Sequence, residues 1–128
     1  MLMFYTYYNV YQCEYCDNIV FTGDLNSRIG MEHDYIAGVD DVCNRHVLDK
    51  NKNSHGSALI DFLIDSKMCI CNGRFDPELD NWTCSKRNGT SVVDYFIVPV
   101  DCLKKCSSFR VCMSRELVNK YCSVDNIS

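Results

Sequence analysis

An apolar run that stops abruptly at polar residues constrains the fold of this chain more than any other feature. The stretch NIVFTGD, residues 18–24, has consecutive apolar residues without polar alternation, which predicts a short buried strand. Gly23 lets the backbone turn near its end, and Asp24 and Asn26 follow directly. On extended backbone, side chains two positions apart point the same way, so the spacing predicts a carboxylate and a carboxamide side by side at a strand end.

Strand and helix patterns alternate irregularly along the rest of the chain. Ser54 is the expected N-cap of an amphipathic helix that continues beyond Leu63, with Asp61 and Asp65 on its solvated face. Later segments predict a strand ending at the turn Asn72-Gly73, a hairpin of residues 82–85 and 91–98, a helical turn at DCLKKC, a strand at FRVCM and a helix from Ser114. This order predicts an α/β layered sandwich in a single domain of residues 1–128.

Two further segments have a less regular pattern. Phe4, Tyr7, Tyr8 and Tyr11 fall at helical spacing, which predicts an N-terminal helix with an aromatic packing face. Residues 26–53 are polar and lack periodic apolar positions, so they predict a long loop of the kind that lines a site.

Composition excludes several classes of protein. The net charge of −4 argues against a chain that binds phosphates mainly through a basic surface. The apolar runs are shorter than the roughly 20 residues that a membrane span needs. The N-terminus has no basic segment before its apolar residues, so it does not resemble a secretion signal. We therefore expect no membrane partner and an intracellular location, nuclear or cytoplasmic.

The chain has ten cysteines, and three interpretations of them remain open. Reduced thiols packed as small hydrophobic side chains are the simplest. Cys13 and Cys16 form a C-x-x-C pair, which raises the alternative of a small zinc-binding or cysteine-rich interaction module without enzymatic activity. A second pair at matching spacing is lacking, and disulfides are the third interpretation.

Position singles out the polar residues Asp24, Asn26 and Asp94 as candidates for a functional site. Asp94 interrupts the apolar run SVVDYFIV, and a buried carboxylate needs a partner or a shifted pKa. Structural roles are the alternative: Asp94 capping backbone N–H groups or pairing with a lysine, and Asp24 and Asn26 forming a turn. Arg28 is a candidate phosphate contact, because guanidinium binds phosphate bidentately, or else a solvated surface residue.

In this order and spacing, the motifs VFTGDLNSR, SHGSALIDFLIDSKMCICNGRF and NWTCSKRNGTSVVDYFIV resemble the second half of the endonuclease/exonuclease/phosphatase superfamily. The family's catalytic strands end in G-D-x-N and S-x-x-D-Y, which correspond here to residues 23–26 and 91–95. The variants GDLNSRIG and NGTSVVDYFIV are similar to the endonuclease domains of non-LTR retrotransposons. The resemblance implies the C-terminal half of a DNase I-like fold, a partial four-layer α/β sandwich.

The same resemblance implies a chemistry and a set of roles. The family hydrolyses phosphoester bonds with Mg²⁺ or Mn²⁺, and its endonucleases act on nucleic acid. We expect DNA as the partner here, with RNA or a small phosphoester as the alternatives. Asp24 would act as metal ligand and as the group that orients or deprotonates water, and Asn26 would donate to a phosphate oxygen. Asp94 would orient a histidine, and Arg28 would contact substrate.

Two of the family's site residues have no counterpart in this sequence. The histidines are His33, His46 and His55, all before Asp94, whereas the family's Asp-His motif lies after it. The metal-binding glutamate of the family's N-terminal half has no match either. We therefore expect an incomplete domain, a catalytically impaired fragment of a mobile-element endonuclease.

Overall fold

The computed structural model describes residues 2–8, 20–75 and 80–113, which form a mixed α/β structure with small antiparallel sheets. The elements in chain order are β1 Leu2–Tyr8, β2 Phe21–Asp24, α1 Ser54–Ser66, β3 Met68–Ile70, β4 Cys84–Lys86, β5 Gly89–Ser91, β6 Asp94–Pro99, α2 Val100–Leu103 and β7 Cys106–Met113. The α/β class predicted from the sequence is confirmed, and the helical turn, the final strand and the end of β6 at Pro99 match their predictions. The predicted helix from Ser114 lies outside the described residues.

β6 is the middle strand of the three-stranded sheet and is covered on both faces. It pairs antiparallel with β2 on one side and β3 on the other. Tyr95 and Ile97 pack in one hydrophobic cluster with Leu63 of α1. Val98 packs in a second cluster with Phe109 of β7. Because alternate residues of a strand face opposite ways, this one apolar strand contributes to both clusters.

The predicted N-terminal helix is wrong for residues 2–8. Leu2–Tyr8 is a strand that pairs antiparallel with β7, with Phe4 opposite Val111. Aromatic and β-branched residues suit a strand once a partner strand is present, and that partner lies about a hundred residues away in sequence. Tyr11 lies outside the described residues.

Helix α1 has the predicted extent, but its cap differs. Asn53, not Ser54, is the N-cap: its Oδ1 accepts a hydrogen bond of 2.7 Å from the backbone N–H of Gly56. Asp61 and Asp65 are exposed as predicted. Ile60 and Leu63 are buried, whereas Phe62 is 44% exposed.

Strand β2 was predicted to be buried, but it is partly exposed. Val20 and Phe21 are about two-fifths exposed, at 42% and 41%, because β2 is an edge strand of its sheet. Its predicted residues 18 and 19 lie outside the described part.

The predicted second hairpin strand, residues 91–98, is divided between two strands. β4 and β5 form the hairpin, and β6 then joins the sheet of β2 and β3.

The loop predicted for residues 26–53 is confirmed, with only an isolated bridge between Ile29 and Lys52. A buried ion pair holds it: the Arg74 guanidinium contacts the Asp34 carboxylate at 2.7 and 2.8 Å, and both side chains are almost fully buried. Asp34 also accepts the backbone N–H of Ile70 at 2.8 Å, which ties the loop to β3.

Within the described residues, no helix has the length and apolar character needed to cross a membrane.

Candidate functional site

Asp24 and Asp94 lie directly opposite each other at one end of the β2–β6 ladder. The next backbone bond runs from Leu25 N to Val93 O at 3.0 Å, so the aspartates occupy a non-hydrogen-bonded pair, in which side chains approach most closely. Two carboxylates far apart in the sequence are thereby brought together. Like charges directly opposite destabilise a strand pair.

Burial and the charge of Asp24 shift the pKa of Asp94. Partial burial raises the pKa of its carboxyl, and the nearby charge of Asp24 raises it further. A hydrogen bond with the Thr83 side chain acts in the opposite direction. Thr83 Oγ1 also accepts the backbone N–H groups of Val93 and Asp94, at 3.0 and 3.1 Å, so this buried threonine fixes the start of β6.

Asn72 fixes the other side of the same strand. β3 ends at Ile70, and the Asn72 side chain continues its hydrogen bonding along β6. Its Oδ1 accepts the N–H of Phe96 at 3.1 Å, and its Nδ2 donates to the carbonyl of Asp94 at 3.0 Å. The sequence predicted a strand that ends at the turn of Asn72, and it placed Thr83 in a hairpin strand. It gave no indication of the backbone groups that these two side chains bind.

Asn26 does not follow Asp24 on extended backbone. Its φ is +48°, in the left-handed region, and its N–H donates to Asp24 Oδ1 at 2.8 Å. The prediction that the two side chains point the same way along a strand is therefore wrong, and the turn alternative describes the backbone. The Asn26 carbonyl accepts from Asn53 Nδ2 at 3.3 Å and lies 3.2 Å from His55 Nδ1, so α1 holds this turn.

Arg28 is engaged by a residue that sequence reasoning missed. Its Nε and one terminal nitrogen contact the two oxygens of Asp49 at 2.9 and 2.8 Å. Asp49 is buried and also accepts the N–H of Val92 at 3.0 Å. Burial alone would raise the pKa of Asp49, but the hydrogen bonds from Arg28 and the backbone lower it. Much of the Arg28 charge is thus neutralised within the protein, although the side chain remains 31% exposed.

An open groove of about 490 Å³ lies between the end of β2 and the β4–β5 hairpin. Asp24, Asn26 and Arg28 line it together with Lys86 from the hairpin. The groove therefore gathers three of the four predicted site residues, and Asp94 faces Asp24 beside it. Lys86 adds an exposed positive charge.

The donor atoms at Asp24 and Asp94 suit a hard cation. Mg²⁺ and Mn²⁺ prefer oxygen ligands, and Mg²⁺ is commonly bound through one or two carboxylates with water in its other positions. Within the described residues no group of three or more His, Cys, Asp or Glu side chains forms a metal site, so a cation here would rest on two carboxylates.

Four of the cysteines in the described residues are core residues. Cys69, Cys71, Cys102 and Cys106 are buried in the cluster beside β7, as the simplest interpretation predicted. Burial raises the pKa of Cys69 to about 12, so it stays a neutral thiol. Cys13 and Cys16, the basis of the zinc alternative, lie outside the described residues.

Comparison of the chain with protein-family models, curated proteins and solved structures gives no match.

Proposed function

We propose that this chain is part of a metal-dependent phosphodiester hydrolase, a mobile-element endonuclease domain whose substrate is DNA. The observation that carries the proposal is the cross-strand pair of Asp24 and Asp94 at the rim of a groove that also contains Asn26 and Lys86. Carboxylates serve as cation ligands and proton acceptors, and the carboxamide and ammonium groups suit a phosphate.

The layering is consistent with part of a DNase I-like four-layer sandwich. Helix α1 packs on one face of the β2–β6–β3 sheet, and strand β7 of the second sheet packs on the other. A helix, a sheet and a second sheet in succession are what one side of such a sandwich would supply. We propose this fold on the same motifs that suggest the function.

Each residue has a distinct proposed role. A bound Mg²⁺ or Mn²⁺ would neutralise charge that develops on the phosphate during hydrolysis. Asp24 would ligate the cation and orient or deprotonate water. The Asn26 side chain would donate to a non-bridging phosphate oxygen, which an aspartate would repel. Arg28, held by Asp49, would contact the substrate through its exposed edge.

Asp94 lacks the partner that the family resemblance gives it. The histidines all precede it in the sequence, and His55 of α1 contacts the carbonyl of Asn26 instead. The described contacts of Asp94 are with Thr83, Asn72 and Asp24 and include no histidine, so we expect cation binding with turnover below detection.

Paramagnetic Mn²⁺ tests the cation site without requiring turnover. In an isotope-labelled sample, Mn²⁺ should broaden the amide resonances of Leu25, Asn26 and Val93 before others, and excess Mg²⁺ should reverse the effect. Asp24→Asn should abolish this local broadening. Asp61→Asn, an exposed carboxylate on α1, is the matched control and should leave it unchanged. Uniform broadening, or broadening that survives Asp24→Asn, contradicts the proposed site.

Nicking of supercoiled DNA tests the activity itself. Any nicking should require Mg²⁺ or Mn²⁺ and should disappear in Asp24→Ala. Cleavage that persists in EDTA or in the Asp24 variant would remove Asp24 from the mechanism.

A further inference from the structure

A second pocket, lined by loop residues, has two arginines and two carboxylates in its wall. Its volume is about 180 Å³, and its walls are Met31, Glu32, His33, Asp34, Tyr35, Asn44, Arg45, Val47 and Arg74. It shares no wall residue with the groove at Asp24.

Both carboxylates of the pocket wall contact a cation other than Arg45. Asp34 is fully engaged by Arg74 in the buried ion pair, and the Glu32 carboxylate contacts Lys52 at 2.8 Å. Among the residues that the structure describes, no carboxylate lies within ion-pair distance of Arg45. The Arg45 guanidinium at the pocket wall therefore has no carboxylate in direct contact, although the charge of Asp34 acts on it from a greater distance.

Arg45 also has N–H donors that its described hydrogen bonds do not use. One terminal nitrogen donates to the carbonyl of Glu32 at 2.8 Å and, more weakly, to that of Gly30 at 3.4 Å. A guanidinium carries five N–H donors, so several are not used by these carbonyls. Burial lowers the pKa of Arg45, the charge of Asp34 partly offsets this, and the charge of Arg74 lowers the pKa further, so the net shift is downward and the charged guanidinium is less stable than one in water. An anion would offset that destabilisation.

Asn44 adds a neutral donor. Its Oδ1 accepts the hydroxyl proton of Tyr35, which orients the amide and leaves its NH₂ group able to donate. The Tyr35 ring packs against His33 with ring centroids 4.9 Å apart, so the wall around these donors is built from packed side chains.

We propose that this pocket binds a small oxyanion through Arg45 and Asn44. Pockets for organic ligands usually have volumes of about 300–1,000 Å³, so this one suits a single phosphate-sized or carboxylate-sized group. The net charge of −4 opposes general anion adsorption, so binding would arise from the local donors. The inference does not depend on the proposed hydrolase activity.

The test is a titration of the isotope-labelled protein with inorganic phosphate, followed by amide and arginine side-chain resonances. Sodium chloride at equal ionic strength controls for screening. We expect saturable shifts at residues 31–35 and 44–47 and at Arg45 Nε–H, and none of these with chloride. Absence of saturation there with both phosphate and acetate, or an equal response to chloride, overturns the proposal. A stronger response to phosphate identifies a tetrahedral oxyanion, and a stronger response to acetate identifies a carboxylate ligand.

Variants then assign the donors. Arg45→Gln should weaken the affinity about tenfold or more, as expected for loss of a charge-assisted hydrogen bond. Lys86→Ala, in the other groove, should leave the affinity at this pocket unchanged. Since Arg45 also supports the loop, Asn44→Ala at an exposed position is a second variant that should weaken binding without unfolding the protein. Full affinity in both Arg45→Gln and Asn44→Ala contradicts the proposal.

Discussion

At the scale of single residues, Asp94 shows how a site can be arranged at the expense of stability. Its carboxyl is partly buried and faces Asp24, and both effects raise its pKa above the usual range. A raised carboxyl pKa means that the folded state binds the proton more tightly than the unfolded state does. Ionisation of Asp94 therefore destabilises the fold, and stability falls as the pH rises from about 4 through the raised pKa.

Replacing Asp94 with asparagine should remove this penalty. We expect Asp94→Asn to have a higher free energy of unfolding than the unsubstituted protein at pH 7, because the amide cannot ionise. The difference should shrink as the pH falls through the raised pKa and should vanish below about 4, where Asp94 is protonated in both states. Urea unfolding across this pH range measures it, and Asp61→Asn serves as the exposed control. An Asp94→Asn protein that is less stable at pH 7 would contradict the assigned origin of the shift.

Residue-level reasoning from the sequence found Asp24 and Asp94 but not what surrounds them. Two strand ends with carboxylates indicate that such groups can meet, and β2 and β6 do pair in this register. The left-handed backbone of Asn26 depends on contacts from Asn53 and His55, more than 25 positions later. Asp49 was not predicted as a site residue, because an aspartate in a polar loop is normally solvated. Only the structure shows that it pairs with Arg28.

At the scale of elements, α1 sits against the turn after β2 with almost no space between their backbones. A Cβ added at Gly56 would lie 1.9 Å from the carbonyl oxygen of Arg28. The same junction is tied by Asn53, whose Oδ1 accepts the N–H of both Arg28 and Gly56 and whose N–H donates to the Arg28 carbonyl at 2.9 Å. The His55-Gly56 pair near the helix start was visible in the sequence, but only the packing shows why glycine is required.

Gly56→Ala should destabilise the protein by about 3 kcal/mol, at the upper end of the cost of overpacking. Alanine favours a helix over glycine by about 1 kcal/mol, but a clash with fixed backbone outweighs that gain. Ser54→Ala, at an exposed position in the same turn, should change stability by less than about 0.5 kcal/mol. Chemical denaturation of the two variants measures the contrast. Equal stabilities would show that α1 moves away from the β2 turn at little cost.

Secondary structure was predictable from the sequence where local patterns determine it, as in α1 and β6. The predictions failed where pairing with a distant segment determines the structure. The aromatic stripe of residues 2–8 fits a helix by spacing, but pairing with β7 makes it a strand. The apolar run of β2 suggests burial, yet an edge position leaves Phe21 against Phe62 with both rings partly exposed. Sheet order cannot be read from the composition of a single strand.

At the scale of the whole molecule, one buried ion pair joins the long loop to the sheet. Asp34 and Arg74 are 40 positions apart, and Arg74 Nε also donates to the carbonyl of Cys43 at 2.9 Å. Burial alone would raise the pKa of Asp34, but the hydrogen bond and charge of Arg74 hold it below its usual range. The pair therefore contributes stability above about pH 4, which is lost as the pH falls through the lowered pKa.

Arg74→Met should cost about 3–5 kcal/mol at pH 7, because it leaves the Asp34 carboxylate buried without its counter-charge. The pKa of Asp34 would then be raised by burial, so lowering the pH towards 4 should stabilise the variant more than it stabilises the unsubstituted protein. The double variant Asp34→Leu/Arg74→Met should lose less than Arg74→Met alone, since no isolated charge remains.

The exposed pair of Lys52 and Glu32 is the matched control, with side chains 44% and 49% exposed. Lys52→Met should cost less than about 1 kcal/mol, because water screens an exposed ion pair. Urea unfolding of all three variants at pH 7 and near pH 4 separates the cases. A small loss in Arg74→Met with no change in its pH dependence would mean that the loop tolerates an unpaired Asp34, and that this ion pair does not hold it to β3.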